Sequence, residues 1–190
     1  MEKRMRVTPS EFRADEQNGK KHIAGYFIVF DDVYRMRDGN EERIDPHALD
    51  DTIAGDIRCL TNHDTRLVLG RTGAGTMTIR IDDHGVWGDA IINEMDSDAL
   101  NTWARVQRGD VSQASFSFDI VAEHPEPLGN GRTRWVVDKL DLYEVSVCTF
   151  PAYESTQLQA RAAWQQETKR SAVEAWRINQ QRRLRSHGKA

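Results

Sequence analysis

Hydrophobic and polar residues alternate over short stretches through the first 150 residues, and turn-forming residues separate these stretches. Such alternation predicts strands, because successive side chains of a strand point to opposite faces of its sheet. The turn signals fall at intervals typical of a β-barrel or β-sandwich. The body of the chain is therefore predicted to be mainly β, with strands over about 4–14, 22–30, 57–60, 76–82, 85–93, 111–122 and 134–149.

Two hairpins are predicted among these strands. The first has its turn in the segment 15–20, where Asn18-Gly19 is a strong hairpin signal between β-forming stretches. The second has its turn at 82–85. A loop at 125–131, which is rich in proline and glycine, is expected to separate the last two strands.

Two helices are predicted to interrupt the strands. Asp45 is expected to cap the first, with Pro46 at its first position, where a missing N–H costs nothing, and the helix ends near Ala54. Ser97 is expected to cap the second, whose apolar residues follow helical spacing until Gly109 ends it. Both helices are expected to pack around the β structure.

The pattern becomes helical and strongly basic towards the end of the chain. Residues 157–190 contain 8 Lys and Arg against 2 Asp and Glu, whereas residues 1–156 contain 18 against 28. We therefore expect an acidic folded domain over 1–156 and a basic tail, helical or partly disordered, over 157–190. This tail could contact nucleic acid, an acidic protein or only solvent, and the sequence does not choose among these three.

Composition narrows the class of protein. The 190 residues are 38% hydrophobic and 29% charged, as expected for one globular domain with some additional exposed polar residues. No stretch approaches the roughly 18 consecutive apolar residues of a membrane span, and the first residues lack the apolar segment of a signal peptide. Cys59 and Cys148 are too few for a disulfide framework and lack zinc-site spacing. We expect a soluble, unsecreted protein with reduced thiols.

Three positions could carry chemistry, and the first is His63. It lies in Leu60-Thr61-Asn62-His63-Asp64, at the end of an apolar strand where the chain turns towards the surface. A histidine can act as a general base near neutral pH, but a lone histidine is more often structural. His63 alone therefore does not identify a function.

The second position is the alternating strand 113–120. Its alanine and phenylalanines share one face, Ser115 and Ser117 share the other, and the preceding Ser112 falls on the core side. The period does not choose between Ser115 and Ser117 as a hydroxyl that meets substrate. A polar strand that faces solvent would explain the same pattern without any catalysis.

The third position is Glu144, which interrupts a strongly apolar strand. A carboxylate is expensive to bury there unless it has a partner. A histidine that becomes charged during catalysis would be such a partner, and so would an Arg or Lys. Cys148, on the same strand, is interpreted as a core residue rather than a nucleophile, because apolar surroundings raise the pKa of a thiol.

Taken together, these segments resemble the prohead (capsid maturation) serine proteases of tailed bacteriophages, which are distantly similar to herpesvirus assemblin. The resemblance covers most of 20–155 and rests on an ordered set of motifs. These motifs are Gly25-Tyr26-Phe27, Asn62-His63-Asp64 with Leu69-Gly70-Arg71-Thr72, Gly85-Val86-Trp87, the block from Gly109 to Phe118, Glu144-Val145-Ser146-Val147 and Phe150-Pro151-Ala152-Tyr153.

The resemblance implies roles for three residues. Ser115 would be the nucleophile, His63 the general base and later the general acid, and Glu144 the residue that orients and charge-stabilises the imidazole. Asp64 is a weaker candidate for that last role, because adjacent side chains of an extended segment diverge. Ser117 stands where the family usually has glycine, and this departure creates the ambiguous second hydroxyl.

The fold and function that follow are those of the family. We expect an assemblin-like β-barrel with surrounding helices, and a serine endopeptidase that needs no cofactor. Its substrates would be scaffold protein or the scaffolding segment of the major capsid protein, and the protease itself, inside assembling procapsids in the bacterial host cytoplasm. The resemblance implies no membrane partner. The sequence does not specify the oligomeric state, and a homo-oligomer is one possibility.

Two other classes are weighed against the protease. One is a catalytically inactive capsid-assembly or scaffold protein of the same fold, against which the presence of His63, Ser115 and Glu144 argues. The other is a nucleic-acid-binding protein that uses the basic tail, although the acidic body would repel phosphate. The tail is also a candidate packaging element. The nucleic-acid-binding alternative would use Arg161, Lys169, Arg170, Arg177, Arg182, Arg183 and Arg185.

Overall fold

A computed structural model describes residues 4–9, 12–30, 32–36 and 38–149 of the protein. The strands are β1 (Arg4–Pro9), β2 (Phe12–Gln17), β3 (Lys20–Val29), β4 (Tyr34–Arg35), β5 (Glu41–Ile44), β6 (Arg58–Thr61), β7 (Asp64–Arg71), β8 (Met77–Ile81), β9 (Gly85–Ile91), β10 (Gln113–Gly129) and β11 (Arg132–Cys148). A short 3₁₀ turn (Thr72–Ala74) follows β7, and the helix α1 (Ser97–Arg108) precedes β10. The predicted tail at 157–190 and its boundary with the domain lie outside the described residues.

The strands pair in two sheets. The larger sheet has the order β1-β10-β11-β5-β4, and in it β6 also pairs with β11 and with β7. The smaller sheet has the order β2-β3-β9-β8. Both β5 and β6 run parallel to β11, at 134–137 and 144–147 respectively, while β10 pairs with the opposite edge of β11. The last of the described strands, β11, is therefore a central strand of its sheet.

The prediction of a mainly β fold is confirmed, and so are the turns at Asn18-Gly19 and at 82–85. The described strands form two sheets rather than a closed barrel. The predicted first strand, 4–14, is in fact two strands that join different sheets. Pro9 is the last residue of β1, as expected for a residue without an N–H to donate to a ladder.

The predicted loop at 125–131 is too long, because β10 continues to Gly129 and only residues 130–131 connect it to β11 in one long antiparallel hairpin. Pro125 pairs opposite Trp135 and Pro127 opposite Thr133. Among the described strands, β1 borders β10 only over 113–118, so beyond that point one edge of β10 has no neighbour to receive an N–H. Pro125 and Pro127 are two residues apart, so their backbone nitrogens face the same edge of β10. Where that edge has no neighbouring strand, a proline removes no hydrogen bond from the sheet.

The predicted helix at 46–54 is also wrong, since this segment forms consecutive turns. Asp45 does accept a hydrogen bond from the His47 N–H at 2.9 Å, as a capping residue would. The bonds that follow, however, mostly join residues three apart, such as Ala48 N–H to the Asp45 carbonyl. Local capping therefore starts a turn here, but a regular helical ladder does not follow it.

The second predicted helix is confirmed as α1, with a corrected cap. Asp96, rather than Ser97, is the N-cap, because its carboxylate accepts from the N–H groups of Asp98 and Ala99. Gly109 ends the helix in the left-handed conformation, with φ of 89°. Among the described residues, no helix combines the length and apolar character needed to cross a membrane.

Strand β10 separates the core from the polar face that carries the candidate serines. Its alternate residues Ala114, Phe116 and Phe118 enter a hydrophobic core built from both sheets and α1. Ser115 and Ser117 lie on the other face, and they are 0% and 1% exposed. The alternative of a polar strand that faces solvent is therefore wrong, because the polar face is covered as completely as the apolar one.

Gly85 offers a test of the packing between β3 and β9. A side chain at this position would be driven into the backbone carbonyl of Ile28, which belongs to the paired strand and cannot swing aside. We expect Gly85→Ala to lower the free energy of unfolding by about 1–3 kcal/mol, as overpacking does elsewhere. Urea titration followed by circular dichroism measures this loss. Thr78→Ala, an exposed change on neighbouring β8, is the control and should alter stability by less than about 0.5 kcal/mol.

Candidate active site

The register of β10 against β11 gathers four polar residues on one face of the larger sheet. Ser115 lies directly opposite Ser146, and Ser117 lies directly opposite Glu144. Directly opposed residues of an antiparallel pair share a face of the sheet. All four are at most 3% exposed. The apolar β11 thus carries two polar residues that meet two serines of its neighbour.

His63 reaches this face from a tight turn between β6 and β7. Thr61 and Asp64 pair across the hairpin, so Asn62 and His63 alone form its loop. Their φ angles are 51° and 60°. Two successive positive φ values are typical of the two-residue turn that matches the twist of a hairpin, and asparagine tolerates the first of them well. Positive φ costs more conformational free energy for histidine than for asparagine. Residues held in such unfavourable conformations are common at functional sites.

Three hydrogen bonds hold the turn against β11 and the residue that follows it. The Asn62 N–H donates to the Val147 carbonyl at 3.0 Å, and the Asn62 side-chain oxygen accepts from the Thr149 N–H at 2.9 Å. The His63 N–H donates to Ser146 Oγ at 3.2 Å. The left-handed backbone of the turn is therefore fixed by contacts with the strand that carries Glu144.

The Glu144 carboxylate is the centre of the site. Its Oε1 lies 2.6 Å from His63 Nδ1 and also accepts from Ser117 Oγ. Its Oε2 accepts from Ser146 Oγ at 2.6 Å. Glu144 therefore receives hydrogen bonds from three side chains that belong to a turn and two strands.

These contacts decide the charge of Glu144. Burial raises the pKa of its carboxyl, but the hydrogen bond and charge of His63, together with the bonds from Ser117 and Ser146, lower it by more. The net pKa lies below the ordinary value of 4.5, so the group is ionised at neutral pH. An ionised carboxylate only accepts hydrogen bonds, and His63 Nδ1 must therefore carry the proton that the two groups share.

In a neutral His63 with its proton on Nδ1, the other ring nitrogen, Nε2, is the atom that can accept a proton. This nitrogen is buried and has no hydrogen-bond partner among the described residues, Ser115 included. Hydrogen bonds between a base and its nucleophile are often long before substrate binds. The arrangement can accept a proton at Nε2 and stabilise the resulting positive charge from the Nδ1 side.

The other sequence candidates take different places. Asp64 does not contact the imidazole; its carboxylate binds the Arg66 guanidinium, at 3.0 Å and 2.7 Å. The hydrogen bonds from Arg66 lower the pKa of Asp64 to about 2. Cys148 is buried, which confirms its interpretation as a core residue, and Cys59 is buried as well.

Sequence reasoning missed two contributors to the site. Asn62 belongs to the sequence motif around His63, yet the motif alone does not show that its tolerance of positive φ and its hydrogen bonds to Val147 and Thr149 hold the turn. Ser146 belongs to the motif that begins at Glu144, and alternation along β11 puts residues 144 and 146 on one face. That spacing was the available signal.

A β-bulge ends the register that aligns the site. Ser117 pairs with Glu144, but Phe118 pairs with Leu142, which leaves Tyr143 as the extra residue of β11. The Tyr143 hydroxyl donates to Asp119 at 2.9 Å and thereby lies over the polar face. Bulges next to functional sites commonly redirect side chains. At this bulge the register between β10 and β11 shifts by one residue, so Glu144 is paired in a different register from the residues that precede it on β11.

A comparison with protein families confirms the resemblance seen in the sequence. Residues 8–171 match the sequence profile of the caudovirus prohead serine protease family, a span that includes His63, Ser115 and Glu144. A solved structure, the capsid assembly protease of bacteriophage T4, is similar at 12% identity and a TM-score of 0.44, over 76% of this chain and 98% of that one. Among curated proteins, none matches the chain.

The buried thiols supply a prediction about which nucleophile is available. Burial, and then the nearby charge of Glu144, raise the pKa of Cys148 to about 12, and the same causes raise that of Cys59 further. Since only the thiolate reacts, we expect neither cysteine of the native protein to react with iodoacetamide at pH 8 within an hour. Mass spectrometry should find both modified once the protein is unfolded in guanidinium. Rapid modification of native Cys148 would contradict this description of the site.

Proposed function

The chain belongs to the caudovirus prohead serine protease family, and from this premise we propose that it is a serine endopeptidase with Ser115, His63 and Glu144 as its catalytic residues. Ser115 is the nucleophile of this proposal. His63 is its general base and then its general acid. Glu144 fixes the orientation of the imidazole and stabilises its positive charge.

The contact between His63 and Glu144 is the observation that carries the proposal. A buried carboxylate at 2.6 Å from Nδ1 favours the tautomer whose Nε2 can accept a proton. The same carboxylate would lower the energy of the imidazolium that forms when the serine attacks. The competing partner for His63, Asp64, is bonded to Arg66 instead.

Two observations support Ser115 over Ser117 as the nucleophile. The Ser117 hydroxyl donates to Glu144 Oε1, on the Nδ1 side of the imidazole, whereas a nucleophile must give its proton to Nε2. Ser115 lies opposite Ser146, whose hydroxyl contacts the His63 backbone. Ser117 is then a donor to the carboxylate, in the position where relatives usually have glycine.

The reaction follows from these roles. Ser115 Oγ attacks the scissile carbonyl carbon while its proton moves to His63 Nε2, and the negative charge passes to the carbonyl oxygen. The tetrahedral intermediate collapses, and Nε2 returns the proton to the amine that leaves. Water then gives a proton to Nε2 as it attacks the acyl-serine, and Ser115 recovers that proton when the acid product departs.

The substrates of this proposal are proteins of the assembling capsid. Scaffold protein or the scaffolding segment of the major capsid protein would be cut inside the procapsid, within the bacterial host, and the protease would also cut itself. Family membership supports this context. No cofactor enters the reaction, because the three side chains supply the nucleophile, the base and the charge stabilisation.

Substitution of the two serines tests the nucleophile. We expect Ser115→Ala to abolish labelling by a serine-reactive fluorophosphonate and to reduce peptide cleavage by several orders of magnitude. Ser117→Ala should remain labelled, since it loses only one donor to Glu144. Co-expression with the neighbouring capsid gene product, followed by mass spectrometry of both chains, should show cleavage by the wild type and none by Ser115→Ala. Normal labelling of Ser115→Ala would sink the assignment, and loss in Ser117→Ala alone would move it to that residue.

Substitution of the carboxylate tests the orienting residue. Glu144→Gln removes the negative charge and the preference for the Nδ1–H tautomer, so kcat should fall about a hundredfold to ten-thousandfold with little change in KM. Asp64→Asn is the matched control on the next residue after His63, and it should change kcat by less than about threefold because its exposed pair with Arg66 is screened by solvent. An equal loss in both variants, with both folded by circular dichroism, would remove Glu144 from the catalytic residues.

A further inference from the structure

The Ser146 hydroxyl occupies a position that connects the two halves of the site. Its Oγ accepts a hydrogen bond from the His63 N–H at 3.2 Å and donates one to Glu144 Oε2 at 2.6 Å. We propose that Ser146 is a positioning residue that fixes the backbone of His63 relative to the carboxylate that orients its ring. This inference rests on the proposed function, because it concerns the efficiency of the same base.

The direction of both bonds follows from chemistry. A backbone N–H can only donate, so the Ser146 oxygen must be the acceptor towards His63. An ionised carboxylate can only accept, so the single hydroxyl proton must point at Glu144. Ser146 is completely buried, and its hydroxyl is held by both bonds. Its orientation is therefore determined on both sides, which is the property that a positioning residue needs.

The histidine needs such support because of how it is presented. His63 lies on a two-residue turn with φ of 60°, where a non-glycine residue is held against its preference. The bonds of Asn62 hold the first residue of the loop, but only the bond to Ser146 holds the N–H of His63 itself among the described contacts. Without it, the ring could stay near Glu144 while its orientation towards Ser115 becomes less uniform.

Ser117 provides a matched comparison. Both Ser117 and Ser146 are buried serines that donate one hydroxyl proton to Glu144, each to a different oxygen. Removal of either hydroxyl deprives the carboxylate of one donor. Only removal of the Ser146 hydroxyl also releases the His63 N–H. A difference between Ser146→Ala and Ser117→Ala therefore reports the tie to the histidine.

Two measurements on the full chain distinguish the variants. The first is the rate constant for fluorophosphonate labelling, in which Ser115 Oγ bonds to phosphorus, fluoride leaves and the serine proton passes to Nε2. The second is the proton NMR resonance of His63 Nδ1–H, assigned by its absence in His63→Gln. We expect Ser146→Ala to slow labelling about tenfold, because the two hydrogen bonds that tie His63 to Glu144 are lost, and to broaden the resonance by faster exchange with water.

The comparison variant should behave differently. Ser117→Ala should slow labelling by less than about threefold and keep a sharp, shifted Nδ1–H resonance. With a peptide substrate, Ser146→Ala should lower kcat and leave KM within about twofold, because the hydroxyl does not meet substrate. A purely structural role would lower the melting temperature without broadening the resonance at a temperature where the protein stays folded.

The outcomes separate the inference from the function on which it rests. If the wild type is not labelled at all, the proposed function fails, and the NMR comparison still tests the tie between Ser146 and His63. If the wild type is labelled, and Ser146→Ala matches Ser117→Ala in rate and resonance, the inference is overturned. Should Ser146→Ala not fold, Ser146→Cys preserves the volume with a weak hydrogen-bonding group and should give the same broadening and slowing; wild-type behaviour of that variant would equally overturn the inference.

Discussion

A charged carboxylate buried at 3% exposure is the constraint on which the rest of the site depends. Removing such a group from water costs several kcal/mol unless other groups replace the lost hydrogen bonds. Glu144 obtains them from the imidazole of His63 and from two serine hydroxyls. The residue that the proposed reaction needs in its ionised form is thus kept ionised by the groups that it orients. The same three hydrogen bonds therefore position the side chains of the site and keep Glu144 negatively charged.

The sheet supplies these donors because its longest hairpin lies beside a short parallel strand. β10 brings Ser117 opposite Glu144, and β6 runs parallel to β11 until Thr61 reaches Val147. The chain then turns back at once, and the turn returns the His63 side chain to the face that the hairpin has already made polar. Neither the hairpin nor the parallel strand would be enough alone, since each provides donors from one side only.

The sequence predicted the parts of this arrangement that depend on neighbouring residues. Alternation in β10 separated the serines from the phenylalanines, and the Asn-Gly turn and α1 were located from local signals. The parallel pairing of β6 with β11 joins segments more than 80 residues apart, so no local pattern could predict it. The extension of β10 through Pro125 and Pro127 was missed for a related reason. A proline excludes a strand only where its N–H would face a neighbour, and that depends on the sheet.

The length of the loop between β6 and β7 has a consequence for how the sequence of this protein can change. A two-residue loop with both φ values positive has one backbone solution, and its second residue carries the base. One inserted residue would select another turn type, alter the pairing of Thr61 with Asp64 and rotate the imidazole away from the carboxylate. Insertions are usually tolerated at hairpin tips. The loop between β6 and β7 should accept no inserted residue. The connection between β10 and β11 at 130–131 is far from Glu144 along that hairpin and is free to lengthen.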